Sequence, residues 1–130
     1  MISIKPQQAL RLLHGADGPE PFAVAVQRRD DLAIVRPSGE LDVATVETLR
    51  AALDSVRSAG RLLLDLRGLS FIDSTGEHLL MALHQRAQRD GFALTLVAPV
   101  PPIDRAIRLC GLDATLPLVT AVEGEPAESA

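Results

Sequence analysis

Apolar residues along the chain fall into short blocks that switch between a period of two and a period near 3.6. Phe22, Val24 and Val26 alternate with smaller or polar residues, residues 28–31 turn the chain, and Leu32 to Val35 form a second apolar run, which together predict a hairpin. Pro37, Ser38 and Gly39 are expected to break that second strand. Asp42 is placed to cap a helix over about residues 43–58, in which Val46, Leu49, Leu53 and Val56 share one face, and Gly60 stops it. Leu62, Leu63 and Leu64 form an unalternating run that ends at Asp65, the pattern of a strand covered on both faces. A second helix opens near Ser74 and closes at Gly91, with Leu79 or Leu80, Leu83 and Ala87 turned inward. Residues 92–97 read as another buried strand. Pro101 and Pro102 introduce a short third helix with Ile103, Ala106, Ile107 and Cys110 on one face, stopped by Gly111, and residues 116–119 as a last strand.

The order β-β-α-β-α-β-α-β favours parallel pairing through crossover connections. It predicts an α/β fold with a mixed sheet of about five strands and helices packed mainly on one face. The folded unit is expected over residues 22–122. Residues 1–21 read as an N-terminal extension, with a short helix over 6–14 and a linker, and residues 123–130 as a flexible tail.

Composition narrows the chemistry. The chain has 130 residues, enough for one domain, and 47% of them are hydrophobic, yet it has only three Phe and neither Trp nor Tyr. The core must then be built from Leu, Val, Ile and Ala, and there are few rings on which nucleic-acid bases could stack. A net charge of −4 with scattered Lys and Arg lacks the basic stripe that binds a phosphate backbone, so no nucleic-acid partner is expected. No apolar run approaches the roughly 20 residues needed to span a bilayer, and the lone Cys110 has no partner for an internal disulfide. A cytoplasmic protein without a membrane partner is the expectation.

Candidate catalytic and metal chemistry is thin. Ser74 and His78 stand four apart on one side of the second helix, which superficially suits a nucleophile and its base. No Gly-x-Ser-x-Gly elbow precedes them and no oxyanion hole is evident, so no catalytic residue is assigned and no enzyme is expected. His14, His78 and His84 lack metal-site spacing, no phosphate-cradling P-loop is present, and no cofactor is expected.

Two stretches stand out: Gly39-Glu40-Leu41-Asp42 before the first helix, and Leu69-Ser70-Phe71-Ile72-Asp73-Ser74-Thr75-Gly76 before the second. Their spacing, with the buried strand 62–65 between them, resembles the STAS domain family, and in particular bacterial anti-sigma factor antagonists. The resemblance covers about residues 22–119. It implies that Ser74, the residue after Asp73, accepts phosphate from a serine kinase that is also an anti-sigma factor, and that this partner holds the ATP. A phosphatase would complete the cycle. The implied partner face comprises Ser38, Gly39, Glu40, Asp42, Asp73, Ser74, Thr75, Gly76 and Glu77, with His78 and Met81 on the second helix.

Local residues alone are also satisfied by plain helix capping at Ser74, Asp73 and Asp42, with Gly76 a close-packing point. The backbone N–H groups of a helix start and the positive end of its dipole would favour an anion at Ser74. At position 77 the family usually places an apolar residue, often Leu. Glu77 reads either as a solvated carboxylate at the helix start or as a change in the partner face. The alternative function is a scaffold or accessory subunit of a stress-signalling or lipid-transport assembly.

Overall fold

A computed structural model describes residues 21–101, 105 and 118–119. The expected N-terminal helix, the third helix apart from Pro101 and Arg105, Cys110 and the C-terminal tail lie outside those residues. Among the described residues, six strands and two full helices follow one another: β1 (Ala23–Arg29), β2 (Leu32–Leu41), α1 (Val46–Asp54), β3 (Arg61–Asp65), β4 (Gly68–Ile72), α2 (Ser74–Asp90), β5 (Ala93–Val97) and β6 (Leu118–Val119). β1 and β2 pair antiparallel, with Val26 opposite Val35, and every other pairing is parallel, so the sheet is mixed. Its order is β1-β2-β3-β5-β6, and β4 also pairs with β2.

Side-chain alternation in the strands sorts two apolar clusters. Ala33, Val35, Leu62, Leu64 and Leu96 share a cluster with Val46, Leu49 and Leu53 of α1 and Leu79, Leu80 and Leu83 of α2, so both helices cover the same sheet face. Leu32, Ile34, Leu63 and Val97 form a smaller cluster from the alternate positions. Leu63, in mid-run, is 6% exposed.

Two sequence expectations are corrected here. Pro37, Ser38 and Gly39 do not break β2, which runs on to Leu41. The strand survives because it changes neighbour: residues 32–35 pair with β3 and residues 38–41 with β4, so Pro37, which has no N–H to give, falls between the two parallel ladders. Gly39 supplies the conformation the change requires. Its φ is +101°, the β2–β4 register shifts between Gly39 and Glu40, and an added Cβ would lie 3.1 Å from the Phe22 Cα.

The second correction concerns β4, which the sequence pattern did not reveal. β3 and β4 lie along the same edge of β2, interrupted at Leu66 and Arg67. Asp65 makes that interruption: its Oδ1 accepts the Arg67 backbone N–H at 3.1 Å, and its two carboxylate oxygens accept the Arg67 side chain at 2.9 and 2.7 Å. The break looks like a strand end in sequence and is a corner in space.

Helix limits also shifted. α1 is shorter than the predicted 43–58, starting at Val46 and ending at Asp54. Beyond it the N–H groups of Val56, Arg57 and Ala59 bond three residues back, so the chain tightens out of α geometry before Gly60. α2 ends as expected at Gly91, which is left-handed at φ +83° and donates to the Ala87 carbonyl at 2.8 Å.

Candidate functional site

The two stretches singled out in sequence meet where β2 and β4 end side by side. Leu41 pairs with Ile72, and the Asp73 N–H donates to the Leu41 carbonyl at 3.2 Å. Each strand then leaves the sheet through an aspartate-led loop.

After β4, Asp73 is the N-cap of α2. Its Oδ1 accepts the N–H groups of Thr75 at 2.9 Å and Gly76 at 3.2 Å, and its carbonyl accepts the Glu77 N–H at 3.0 Å. The backbone donors of residues 75–77 are therefore committed to Asp73 and are not held open for an added anion, which corrects the expectation of unpaired N–H groups at this helix start. Ser74, the first helical residue, is exposed, and Thr75 is half-buried. Among the described residues no hydrogen bond joins Ser74 to His78.

Gly76 sets how closely the cap approaches the sheet. A Cβ there would stand 2.8 Å from the Leu41 Cγ and 2.9 Å from the Ile72 Cγ1, well inside van der Waals contact, so a larger residue forces either these side chains or α2 to shift.

After β2, the loop is built on Asp42. Its Oδ1 accepts the N–H groups of Ala44 at 2.9 Å and Thr45 at 3.1 Å. The Thr45 hydroxyl donates to the Glu40 carbonyl at 2.6 Å and accepts the Asp42 N–H at 3.0 Å. The result is a closed turn over residues 42–45 before α1 begins.

The expected partner residues divide by burial. Ser38, Ser74 and His78 are exposed, and Gly39, Asp73, Thr75 and Met81 are half-buried. Glu40, Asp42, Gly76 and Glu77 are buried. Glu77 is only 5% exposed and is not the solvated carboxylate the sequence suggested. Thr45 is a structural member of the Asp42 loop that sequence reasoning passed over. The signal for Thr45 was present in Asp-x-x-Thr, a side chain reaching back to its own turn.

At the β3–β4 corner, burial pushes the Asp65 carboxyl upward, but hydrogen bonds and charge from Arg67, with Arg36 Nε at 3.3 Å, outweigh it and hold the group below its ordinary value. Among the described residues no group of three His, Cys, Asp or Glu side chains is arranged to hold a metal ion, and no helix is long and apolar enough to cross a membrane.

Comparison with known proteins places this geometry. The STAS domain model matches residues 23–124. An anti-sigma F factor antagonist of Paenibacillus polymyxa is 26% identical over 98 residues, covering 73% of this chain and 84% of that protein. Among solved structures, an anti-sigma factor antagonist from Mycobacterium paratuberculosis is 29% identical at a TM-score of 0.71, covering 82% of this chain and 92% of that one. The antagonist SpoIIAA in its unphosphorylated form shares the fold at 23% identity and a TM-score of 0.65, covering 79% of this chain and 91% of its own. The chain belongs to the STAS domain family.

Proposed function

We propose that the protein is an anti-sigma factor antagonist that binds an anti-sigma factor serine kinase while Ser74 is unmodified and lets go once Ser74 carries phosphate. The observation that carries this reading is the pairing of an exposed Ser74 with a cap whose backbone donors are already used by Asp73. A phosphoryl group at Ser74 Oγ would bring about −1.5 to −2 charges beside the Asp73 carboxylate. With the N–H groups of residues 75–77 committed, the cap gives it little to bind, so the charge faces outward. A partner surface fitted to a neutral hydroxyl then meets like charge, which costs several kcal/mol. A phosphatase that hydrolyses the phosphoserine would reset the switch. The relatives named as antagonists support the reading.

Ser38, Gly39, Asp73, Thr75, His78 and Met81 would lie around the contact, while Glu40, Asp42, Gly76 and Glu77 support it from beneath. The scaffold alternative draws support from Glu77 and from the N-terminal segment 1–21; burial of Glu77 weakens the first, and residues 1–20 lie outside the described residues.

The test is phosphorylation by the purified serine-kinase anti-sigma factors encoded in the source genome, with ATP and site mapping by mass spectrometry. Phosphate is expected on Ser74, with incorporation lost in Ser74→Ala and binding weakened at least about tenfold in Ser74→Asp. Undiminished incorporation in Ser74→Ala would move the site to Thr75 or Ser70 and overturn the assignment.

A further inference from the structure

Val43 is the most exposed of the large hydrophobic residues described, at 73%, against 45% for Val26, 44% for Val119 and 43% for Val100. A single exposed Val is ordinary on a protein surface. What sets Val43 apart is its mounting. It stands in the 42–45 turn, whose ends are fastened by the Asp42 carboxylate and by the Thr45 hydroxyl acting on Glu40 and Asp42. Such a turn holds its apolar side chain in water at little further entropic cost on binding, a favourable starting point for an anchor residue.

The turn is also tied to the switch residue. Leu41 and Ile72 are paired neighbours in the sheet, Val43 lies two residues beyond one and Ser74 two residues beyond the other. With adjacent strands about 4.8 Å apart and 3.8 Å between successive Cα atoms, the two Cα atoms are at most about 20 Å apart. A standard interface of about 800 Å² per partner is roughly 30 Å across, so a partner that reads Ser74 can also cover Val43.

We propose that Val43 is an apolar anchor of the same partner interface, inserting into a hydrophobic depression on the protein that reads Ser74. The inference rests on the functional reading above. It divides the labour at the site: Val43 contributes affinity that does not depend on phosphorylation, and Ser74 contributes the charge that ends the complex. Buried apolar anchors of this kind act chiefly on the dissociation rate.

The experiment measures binding of the full chain to the same purified serine-kinase anti-sigma factors, comparing wild type, Val43→Ser, Val43→Leu and Ser74→Asp. Because Val43 is exposed, Val43→Ser should fold normally, and an unchanged thermal midpoint checks this. Val43→Ser is expected to weaken binding about tenfold through faster dissociation, and Val43→Leu to stay within about threefold of wild type. If Val43→Ser binds within about twofold of wild type while Ser74→Asp is released, the anchor is refuted and the switch stands. If Val43→Ser weakens binding and Ser74→Asp does not, the anchor stands and the switch falls. A wild-type chain that binds none of these kinases overturns both.

Discussion

The loops led by Asp42 and Asp73 use one device to different ends. In both, a single carboxylate oxygen accepts the N–H groups two and three residues on, at 2.9 and 3.1 Å after Asp42 and at 2.9 and 3.2 Å after Asp73. Both follow paired strand ends. Yet Asp73 starts its helix at the next residue, whereas Asp42 is followed by a closed turn and the helix waits until Val46. The difference lies in the fourth residue. Thr45 has a hydroxyl that ties the turn back to Glu40 and Asp42, while Gly76 has no side chain and lets its helix settle directly against Leu41 and Ile72. A hydrogen-bonding side chain closes one loop and an absent side chain seats the other. One loop thereby holds an apolar residue in solvent and the other a hydroxyl.

The largest effect is expected where the two loops share support. Leu41 is fully buried and touches the position a Gly76 side chain would occupy, so Leu41→Ala should cost about 2–5 kcal/mol in chemical denaturation. The cavity it leaves should make Gly76→Ala less costly in that background than in wild type, and a double-mutant cycle reads the coupling directly. Strict additivity would mean that Gly76 is not needed for the close approach.

A smaller effect separates the loops themselves. Asp73→Ala removes a half-buried cap and should cost about 0.5–2 kcal/mol. The Asp42 side chain is itself buried, at 6% exposed, and holds the Thr45 hydroxyl as well as backbone N–H groups, so Asp42→Ala empties a buried polar site and should cost about 1–3 kcal/mol. Equilibrium unfolding of the two variants side by side should rank Asp42→Ala as the more damaging, and the reverse order would break the distinction drawn between them.

The smallest effect comes from the third aspartate-led turn, at Asp65, where arginines add charge to the same backbone bond. Its carboxyl titrates lower in the folded than in the unfolded chain, so its contribution to stability is complete above the ordinary value of 3.8 and is lost as pH falls through the lowered one. Stability measured against pH should therefore drop in acid, and Asp65→Asn should flatten that part of the curve. An unchanged acid limb would mean that the arginines do not act on Asp65 in solution.

Much of this was legible in the chain. The apolar period identified both helices and the buried strand at Leu62 to Leu64, and Gly91 marked where α2 ends. The two Asp-containing stretches, far apart in sequence, come together at the ends of β2 and β4. What escaped were features whose cause is tertiary. Pro37 and Gly39 are breakers by local chemistry, and they remain in a strand because β2 exchanges one parallel neighbour for another beside them. β4 was hidden because Asp65, Arg67 and Gly68 carry turn chemistry, and only the alignment along β2 makes them a corner in a continuing edge. Of the two readings open for Glu77, the solvated one fails because the side chain is buried, which no local pattern records.

The position of β2 bears on how the protein can move. Residues 32–38 are bonded to β1 on one edge and, on the other, residues 32–35 to β3 and Ser38 to β4, so Ser38 faces both Ala23 and Gly68. Amide hydrogens in such a doubly held strand exchange with solvent mainly through large-scale opening, not through local fraying. The loop after β2 thus springs from a strand whose body is held on both edges. A modification at Ser74 would then be signalled by the charge it places on a fixed frame, and a deuterium-exchange profile of residues 32–38 should look the same before and after it.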